Sequence, residues 1–307
     1  MRIGVDLGGT KIEAAALGPD GAILLRKRIP SPRGDYAVAI KAIAGLVEAV
    51  ESAVAARAPR IGVGIPGSIS PRSGLVRNAN SHWLNDRALD ADLAQALGRP
   101  VRCANDADCF AVSEARDGAA AGAGVVFGVI AGTGIGGGVA LDGRPLRGAG
   151  GAGGEWGHGP LPLAHGAEWP GPACWCGRHG CLETWLSGPG LAADHARVTG
   201  RDVPDAAAVA ALAAEGDVGA QATLDRHVDR FARGLAQVVN LLDPHVVVLG
   251  GGLSNLADFP ERLRAALAPH VFSDHLALDI RRNLHGDSSG VRGAAWLWDE
   301  DEEGNTA

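Results

Sequence analysis

Lysine is nearly missing from this 307-residue chain: of its 28 basic residues only Lys11, Lys27 and Lys41 are lysines. Acids outnumber bases to a formal net charge of -7, so no broad basic surface is available to neutralise a nucleic acid backbone, and nucleic acid is not expected as a main partner. The 46 glycines have no G-X-Y period, which excludes a triple helix and leaves turns and close backbone approaches as their use. The GxxxxGK[ST] spacing of a Walker A loop is absent. Five cysteines, an odd number with three close together, do not make a disulfide framework and suit a reducing compartment and a metal. The start, Met1-Arg2-Ile3-Gly4-Val5, has no long apolar run before its first glycine turn, so no secretion signal is read and a cytoplasmic location is expected.

With 46% hydrophobic and 21% charged residues the chain has the composition of a packed globular protein, and its length exceeds the roughly 100 to 200 residues of one usual domain. Residues 118–141 are uncharged and long enough to span a bilayer. Nine of them are glycine, however, and β-rich pieces flank a Gly/Thr turn, so the reading is strand, turn, strand, with no membrane partner.

Hydrophobic patterning predicts strands at Arg2–Val5, Ile12–Leu17, Ile23–Ile29, Ile61–Ile65, Val101–Ala104, Val125–Ile130, Gly138–Leu141, His245–Leu249 and Ala277–Arg281. It predicts helices at Tyr36–Arg57, Leu89–Leu97, Gln221–Leu242 and Val291–Trp298, a helix starting after Asn105, and a solvated acidic tail over Asp299–Glu303. Gly4 to Thr10 and Gly128 to Gly134 share a strand-to-glycine-turn layout, each followed by an Asp-Gly hairpin, Asp20-Gly21 and Asp142-Gly143. This is a duplicated α/β unit. The expected domains are 1–118, joined by a C-terminal helix within 291–307, and 119–290.

The two Gly/Thr turns, Gly8-Gly9-Thr10 and Gly132-Thr133-Gly134, place unpaired backbone N–H groups and a hydroxyl at strand ends, which suits phosphate where lysine is scarce. Gly251 and Gly252 make a third such turn, and Lys11 follows Thr10 directly. Asp106, at a strand-to-helix junction beside Asn105, reads either as a helix cap or as a general base toward a substrate hydroxyl. Asp6 can position a hydrated Mg²⁺, which keeps most of its waters and takes one or two carboxylates. His158 with Cys174, Cys176 and Cys181 forms a Cys₃His set, the complement of a closed tetrahedral Zn²⁺ site. With four protein ligands no position is left for water, so the zinc is read as structural. His179 is a competing ligand. The metal would fix Glu155, His158 and Glu183 as a surface for several hydroxyl hydrogen bonds.

These motifs resemble those of ROK-family sugar kinases over essentially the whole length. Asp6-Leu7-Gly8-Gly9-Thr10-Lys11 matches the N-terminal phosphate motif and Ala131-Gly132-Thr133-Gly134 the second; Glu155-x-Gly157-His158 with Cys174-x-Cys176-x4-Cys181-x-Glu183 matches the signature, and Asn105-Asp106 the catalytic pair. The resemblance implies the two-domain actin-like/hexokinase-like (ribonuclease H-like) ATPase fold, with ATP and sugar in the interdomain cleft and sugar contacts from Asn105, Asp106, Glu155, His158 and Glu183. It also implies a homodimer. The stretches Gly64 to Ser70, Asn78 to Asn85 and His285 to Trp296 look most like the bacterial fructokinase (manno(fructo)kinase) branch, although N-acetylglucosamine kinases share much of this frame. The loops of Gly67 and Asn80 are expected to close over the sugar ring. The expectation is therefore an ATP-dependent hexokinase acting on the 6-hydroxyl of fructose, with N-acetylglucosamine kinase or glucokinase as alternatives and a non-catalytic sugar sensor as the alternative of another class. No N-terminal helix-turn-helix domain of the ROK-repressor kind is expected, since the phosphate motif begins at Asp6.

Overall fold

The computed structural model describes residues 1–32 and 34–298; the expected tail Asp299–Glu303 and the end of the expected C-terminal helical segment lie outside them. In chain order the regular elements are β1 (Arg2–Leu7), β2 (Lys11–Leu17), β3 (Ile23–Pro30), α1 (Tyr36–Val54), β4 (Ile61–Ile65), β5 (Ser68–Ile69), β6 (Val76–Arg77), α2 (Leu89–Leu97), β7 (Val101–Asn105), α3 (Asp106–Arg116), β8 (Val125–Ala131), β9 (Ile135–Leu141) and β10 (Arg144–Pro145). They continue as α4 (Glu183–Leu186), α5 (Gly188–Thr199), α6 (Ala206–Ala214), α7 (Val218–Leu242), β11 (Val246–Gly250), α8 (Phe259–Leu267), β12 (Asp279–Arg282) and α9 (Ser289–Ala295). Among the described residues no helix is long and apolar enough to cross a membrane, and residues 118–141 contain the β8–turn–β9 hairpin.

The chain divides into two compact units: Met1–Gly122 with Gly138–Gly153 and Leu284–Ala307, and Ala123–Gly137 with Gly154–Asn283. The segment Gly138–Gly153 groups with the first unit, whereas the sequence reading places all of 119–290 in the second.

One sheet has the order β3-β2-β1-β4-β7, antiparallel at the β1–β2 and β2–β3 pairs and parallel from β1 through β4 to β7. The other has the order β10-β9-β8-β11-β12, with β8, β11 and β12 parallel. In each sheet the central strand has its hairpin partner on one side and a parallel strand on the other, so the repeat seen in the sequence is a repeat of topology.

Alternation along the strands separates the two faces of the first sheet. Ile3, Val5 and Leu7 of β1, with Ile61, Val63 and Ile65 of β4, are buried in one apolar cluster with Ile43, Val47 and Val50 of α1 and Leu89, Leu93 and Leu97 of α2. The opposite face is small: Gly4, Gly62 and Ala104 receive α9. A Cβ on Gly62 would stand 1.7 Å from the carbonyl oxygen of Ala294, so this approach of helix to strand requires glycine.

Several element limits differ from the sequence reading. Helix α1 stops at Val54 because Ala55 turns left-handed at φ 52°. Helix α7 starts earlier, at Val218, where the Asp217 side chain accepts from the Ala220 N–H at 2.8 Å. Strand β12 begins at Asp279, and the final helix spans Ser289–Ala295. Helices α4, α5, α6 and α8 are absent from the sequence reading. Helix α6, AAAVAALAA, has no polar face to give it a period.

Candidate functional site

In the first unit, parallel pairing aligns Asp6 with Gly64 and Gly64 with Ala104. The carboxyl ends of β1, β4 and β7 therefore lie side by side, the end at which parallel α/β sheets commonly place their ligand sites. Asn105 caps α3: its Oδ1 accepts from the Ala107 N–H at 2.8 Å and its Nδ2 donates to the Gly67 carbonyl at 3.0 Å. Capping thus falls to Asn105, while Asp106 is the exposed first residue of the helix, its Oδ1 also 2.9 Å from the Ala107 nitrogen. The same end of the sheet holds Asp6, whose pKa is pushed up to about 6 by burial and then by the negative charges of Asp106 and Glu13, against the opposing pull of Lys11 and Arg28.

The turn between β1 and β2 is closed by the Gly8 N–H donating to the Lys11 carbonyl at 3.0 Å, which leaves Gly9 and Thr10 exposed at its tip. Lys11 Nζ stands 3.8 Å from Asp287, tying this turn to the segment before α9. Gly67 has φ 78°, and a Cβ there would come within 2.3 Å of the Arg77 carbonyl oxygen, so no other residue fits the turn unstrained. Asn80 is exposed on the neighbouring loop. That loop is braced by Asn85, which accepts from the Ala79 N–H and donates to the Ala79 carbonyl, both at 3.0 Å.

In the second unit Gly250 pairs with Ile130, so the two glycine turns that follow these strands are adjacent. The Gly132 N–H donates to the Gly134 carbonyl at 3.0 Å, and the Gly132 carbonyl accepts from Gly188 N–H at 2.7 Å. Thr133, Gly251 and Gly252 are exposed.

The second unit also contains the cysteine loop. One donor atom from each of His158, Cys174, Cys176 and Cys181 lies within 4.8 Å of all the others. Tetrahedral zinc with Zn–S of about 2.3 Å and Zn–N of about 2.05 Å has edges of about 3.8 Å between sulfurs and about 3.6 Å from sulfur to nitrogen. Cys176 and Cys181 Sγ are 3.7 Å apart, and Cys174 Sγ is 3.6 Å from His158 Nδ1. The donor set fits the ion. His179 is turned aside, its Nδ1 3.4 Å from the Gly171 carbonyl oxygen. A hydrogen bond from the Arg178 side chain pulls the Cys176 thiol down to about 6, which favours the thiolate that a metal needs.

The same loop holds Glu183 in place. Its Oε2 accepts from the Ile135 N–H at 3.2 Å and its Oε1 from Trp175 Nε1 at 2.6 Å. Glu155 is exposed one residue before the short turn Trp156–His158, and Trp156 is anchored by its Nε1 donating to the Gly136 carbonyl at 3.1 Å. The residues read from the sequence therefore gather as two sets, one on each unit: Asp6 to Lys11, Gly67, Asn80, Asn105 and Asp106 on the first; the Gly132 and Gly251 turns, Glu155, His158 and Glu183 on the second.

The ROK family profile matches residues 2–301. The N-acetyl-D-glucosamine kinase of Escherichia coli O157:H7 is 37% identical over 97% of this chain and 99% of its own length. The chain belongs to the ROK family, among its sugar kinases. A ROK hexokinase from Thermus thermophilus superposes on it with a TM-score of 0.87 at 35% identity, covering 98% of this chain and 99% of its own. A ROK family glucokinase from Streptomyces griseus, solved in complex with glucose and AMPPNP, gives 0.74 at 26% identity, covering 96% and 98%. This ROK kinase thus has the actin-like ATPase fold expected from its motifs.

The sequence reading of this ROK kinase missed Asn85 and Trp175, whose bonds join residues not adjacent in the chain. It also missed a cavity of about 370 Å³ in the second unit, lined by Ala210, Ala214, Leu224, Val228, Leu256 and Phe259, which none of the expected site residues lines.

Proposed function

We propose that this protein is an ATP-dependent N-acetylglucosamine kinase that transfers the γ-phosphoryl group to the sugar 6-hydroxyl. The observation that carries this reading is the full-length likeness to N-acetyl-D-glucosamine kinases, 37% identical over 97% of the chain. It takes precedence over fructose because the stretches that look fructokinase-like belong to a frame both branches share.

In this reading Asp106, exposed at the head of α3, receives the proton of the attacking hydroxyl. The residues assigned to sugar contacts are Asn105, Gly67 and Asn80 among those of the first unit and Glu155, His158 and Glu183 among those of the second. The N–H groups of the turns at Gly8–Lys11, Gly132–Gly134 and Gly251–Gly252 hold the nucleotide phosphates, and the apolar cavity that Leu256 and Ala257 border, a few residues past Gly252, suits a purine base. Mg²⁺, when bound, supplies charge neutralisation on the phosphates, and Asp6 is the carboxylate that would hold it. Zinc on His158, Cys174, Cys176 and Cys181 is structural and keeps the Glu183 loop folded. Phosphoryl transfer asks the protein mainly for positioning and charge stabilisation, which these groups provide.

The test is ADP release with ATP and a panel of N-acetylglucosamine, glucose, mannose and fructose. The expected result is a kcat/KM for N-acetylglucosamine at least tenfold above that for fructose, about 1.4 kcal/mol of transition-state discrimination. The reverse order returns the protein to the fructokinase branch. Sugar binding without ADP release would make it a sensor.

A further inference from the structure

Beyond its bond to Glu183, Trp175 has no part in the roles above, yet its geometry is unusual. It lies between two members of the metal-binding set, Cys174 and Cys176, in a loop tightened by the Cys174 N–H donating to the Arg178 carbonyl at 2.7 Å. Its indole is fixed at two further points. The ring meets His158 edge to face at 4.9 Å and 85°, and Nε1 donates to Glu183 Oε1 at 2.6 Å. Even so, 71% of the residue stays exposed. A large apolar ring left open to water is normally free to rotate; this one is held beside two of the proposed sugar ligands. A rigid, amphipathic aromatic with one polar end satisfied offers a flat apolar face at small entropic cost on binding, which is why such rings recur at recognition surfaces.

Glu183 gains from the same contact. Its two oxygens each accept one such bond, Oε1 from Trp175 Nε1 and Oε2 from the Ile135 N–H. Those bonds fix the plane of the group, and each oxygen keeps a lone pair for a sugar hydroxyl. Sugar rings carry hydroxyls at their edges and C–H groups on their faces, so an indole beside a carboxylate matches both at once.

We propose that Trp175 is a specificity-determining residue of the hexose site: its indole stacks on the C–H face of the sugar, and its N–H orients Glu183 toward the sugar hydroxyls. This rests on the kinase reading given above. Two variants separate the two contributions. Trp175→Phe keeps a ring and removes the N–H; Trp175→Ala removes both.

The expected outcome is a hexose KM raised about tenfold or more in Trp175→Ala and by less in Trp175→Phe, with kcat within threefold, the KM for ATP unchanged and bound zinc still at one per chain. A sugar-induced change in tryptophan emission, present in the wild type and lost in Trp175→Phe, is expected from the stacked position and does not depend on turnover. If both variants retain zinc and the wild-type hexose KM within twofold, the proposal fails. Should Trp175→Ala lose its zinc, Trp175→Phe decides: a wild-type KM together with an undiminished emission change overturns the proposal. A wild-type protein that neither binds nor phosphorylates any sugar overturns the kinase reading, and this inference with it; wild-type turnover with indifferent variants overturns this inference alone.

Discussion

The Asn105 amide links two loops: Nδ2 donates to the Gly67 carbonyl at 3.0 Å while Oδ1 takes the Ala107 N–H at 2.8 Å. One side chain therefore fixes both the start of the helix that bears Asp106 and the turn after β4. Asn105→Ala should cost about 1 kcal/mol as a lost cap and raise the hexose KM. Asn105→Asp keeps an acceptor for the cap and loses the donor to Gly67. Thermal denaturation should show stability recovered in Asn105→Asp, and steady-state kinetics should show the KM still raised; equal KM values in all three proteins would mean that the Gly67 link has no bearing on the sugar.

Asp106→Asn keeps the shape of the side chain and removes its capacity to accept a proton. The expected loss in kcat is roughly 10²- to 10⁴-fold, with sugar affinity by calorimetric titration close to wild type. A kcat within a few-fold of wild type would reduce Asp106 to a structural residue at the helix start.

Zinc should be found by elemental analysis at one ion per chain after dialysis. Cys176→Ala should lose the ion, thermal stability and activity together, because the same loop carries Glu183 and Trp175. Metal-free wild-type protein with full activity would rule out a structural zinc.

His227 is buried on α7 against Phe231 and Phe259, with ring centroids 5.9 and 6.0 Å away. Burial pushes its pKa down to about 4, below the ordinary value of 6.5. Between these two pH values the unfolded chain binds a proton that the folded chain refuses, so stability is highest above 6.5 and falls as pH drops toward 4, by about 3 kcal/mol in all. Urea titrations at pH 7.5 and 5 should show a smaller difference for His227→Leu than for wild type. An unchanged difference would place the acid sensitivity elsewhere.

What could be read from the sequence was local. The Gly8–Lys11 and Gly132–Gly134 turns and the Cys174-x-Cys176-x4-Cys181 spacing each lie within a dozen residues, and β1, β4 and β7 announced themselves by apolar runs between breakers. The bonds from Asn105 to Gly67, from Glu183 to Ile135 and from Arg230 and Arg233 to Glu168 join residues 38 to 65 positions apart, and no periodicity reports such pairings. Trp175 could have been suspected from its place between two candidate metal ligands, Cys174 and Cys176. Helix α5 was hidden by its start, Ser187-Gly188-Pro189-Gly190, which reads as a loop although Ser187 accepts from the Gly190 N–H at 3.2 Å and proline suits a first helical turn. The choice of sugar was least legible, because the shared frame of two branches says nothing about which substituent a loop will meet.

The small face of the first sheet sets a timetable for the nascent chain. Strands β1, β4 and β7 are all synthesised by Asn105, but Gly4 and Gly62 wait for α9 at Ser289–Ala295. At 5 to 20 residues per second that delay is roughly 10 to 40 s. The second unit, complete at Asn283, has every one of its residues before α9 exists. The strands of this sheet are therefore made first, and the helix that covers their glycine face is made last among the described elements.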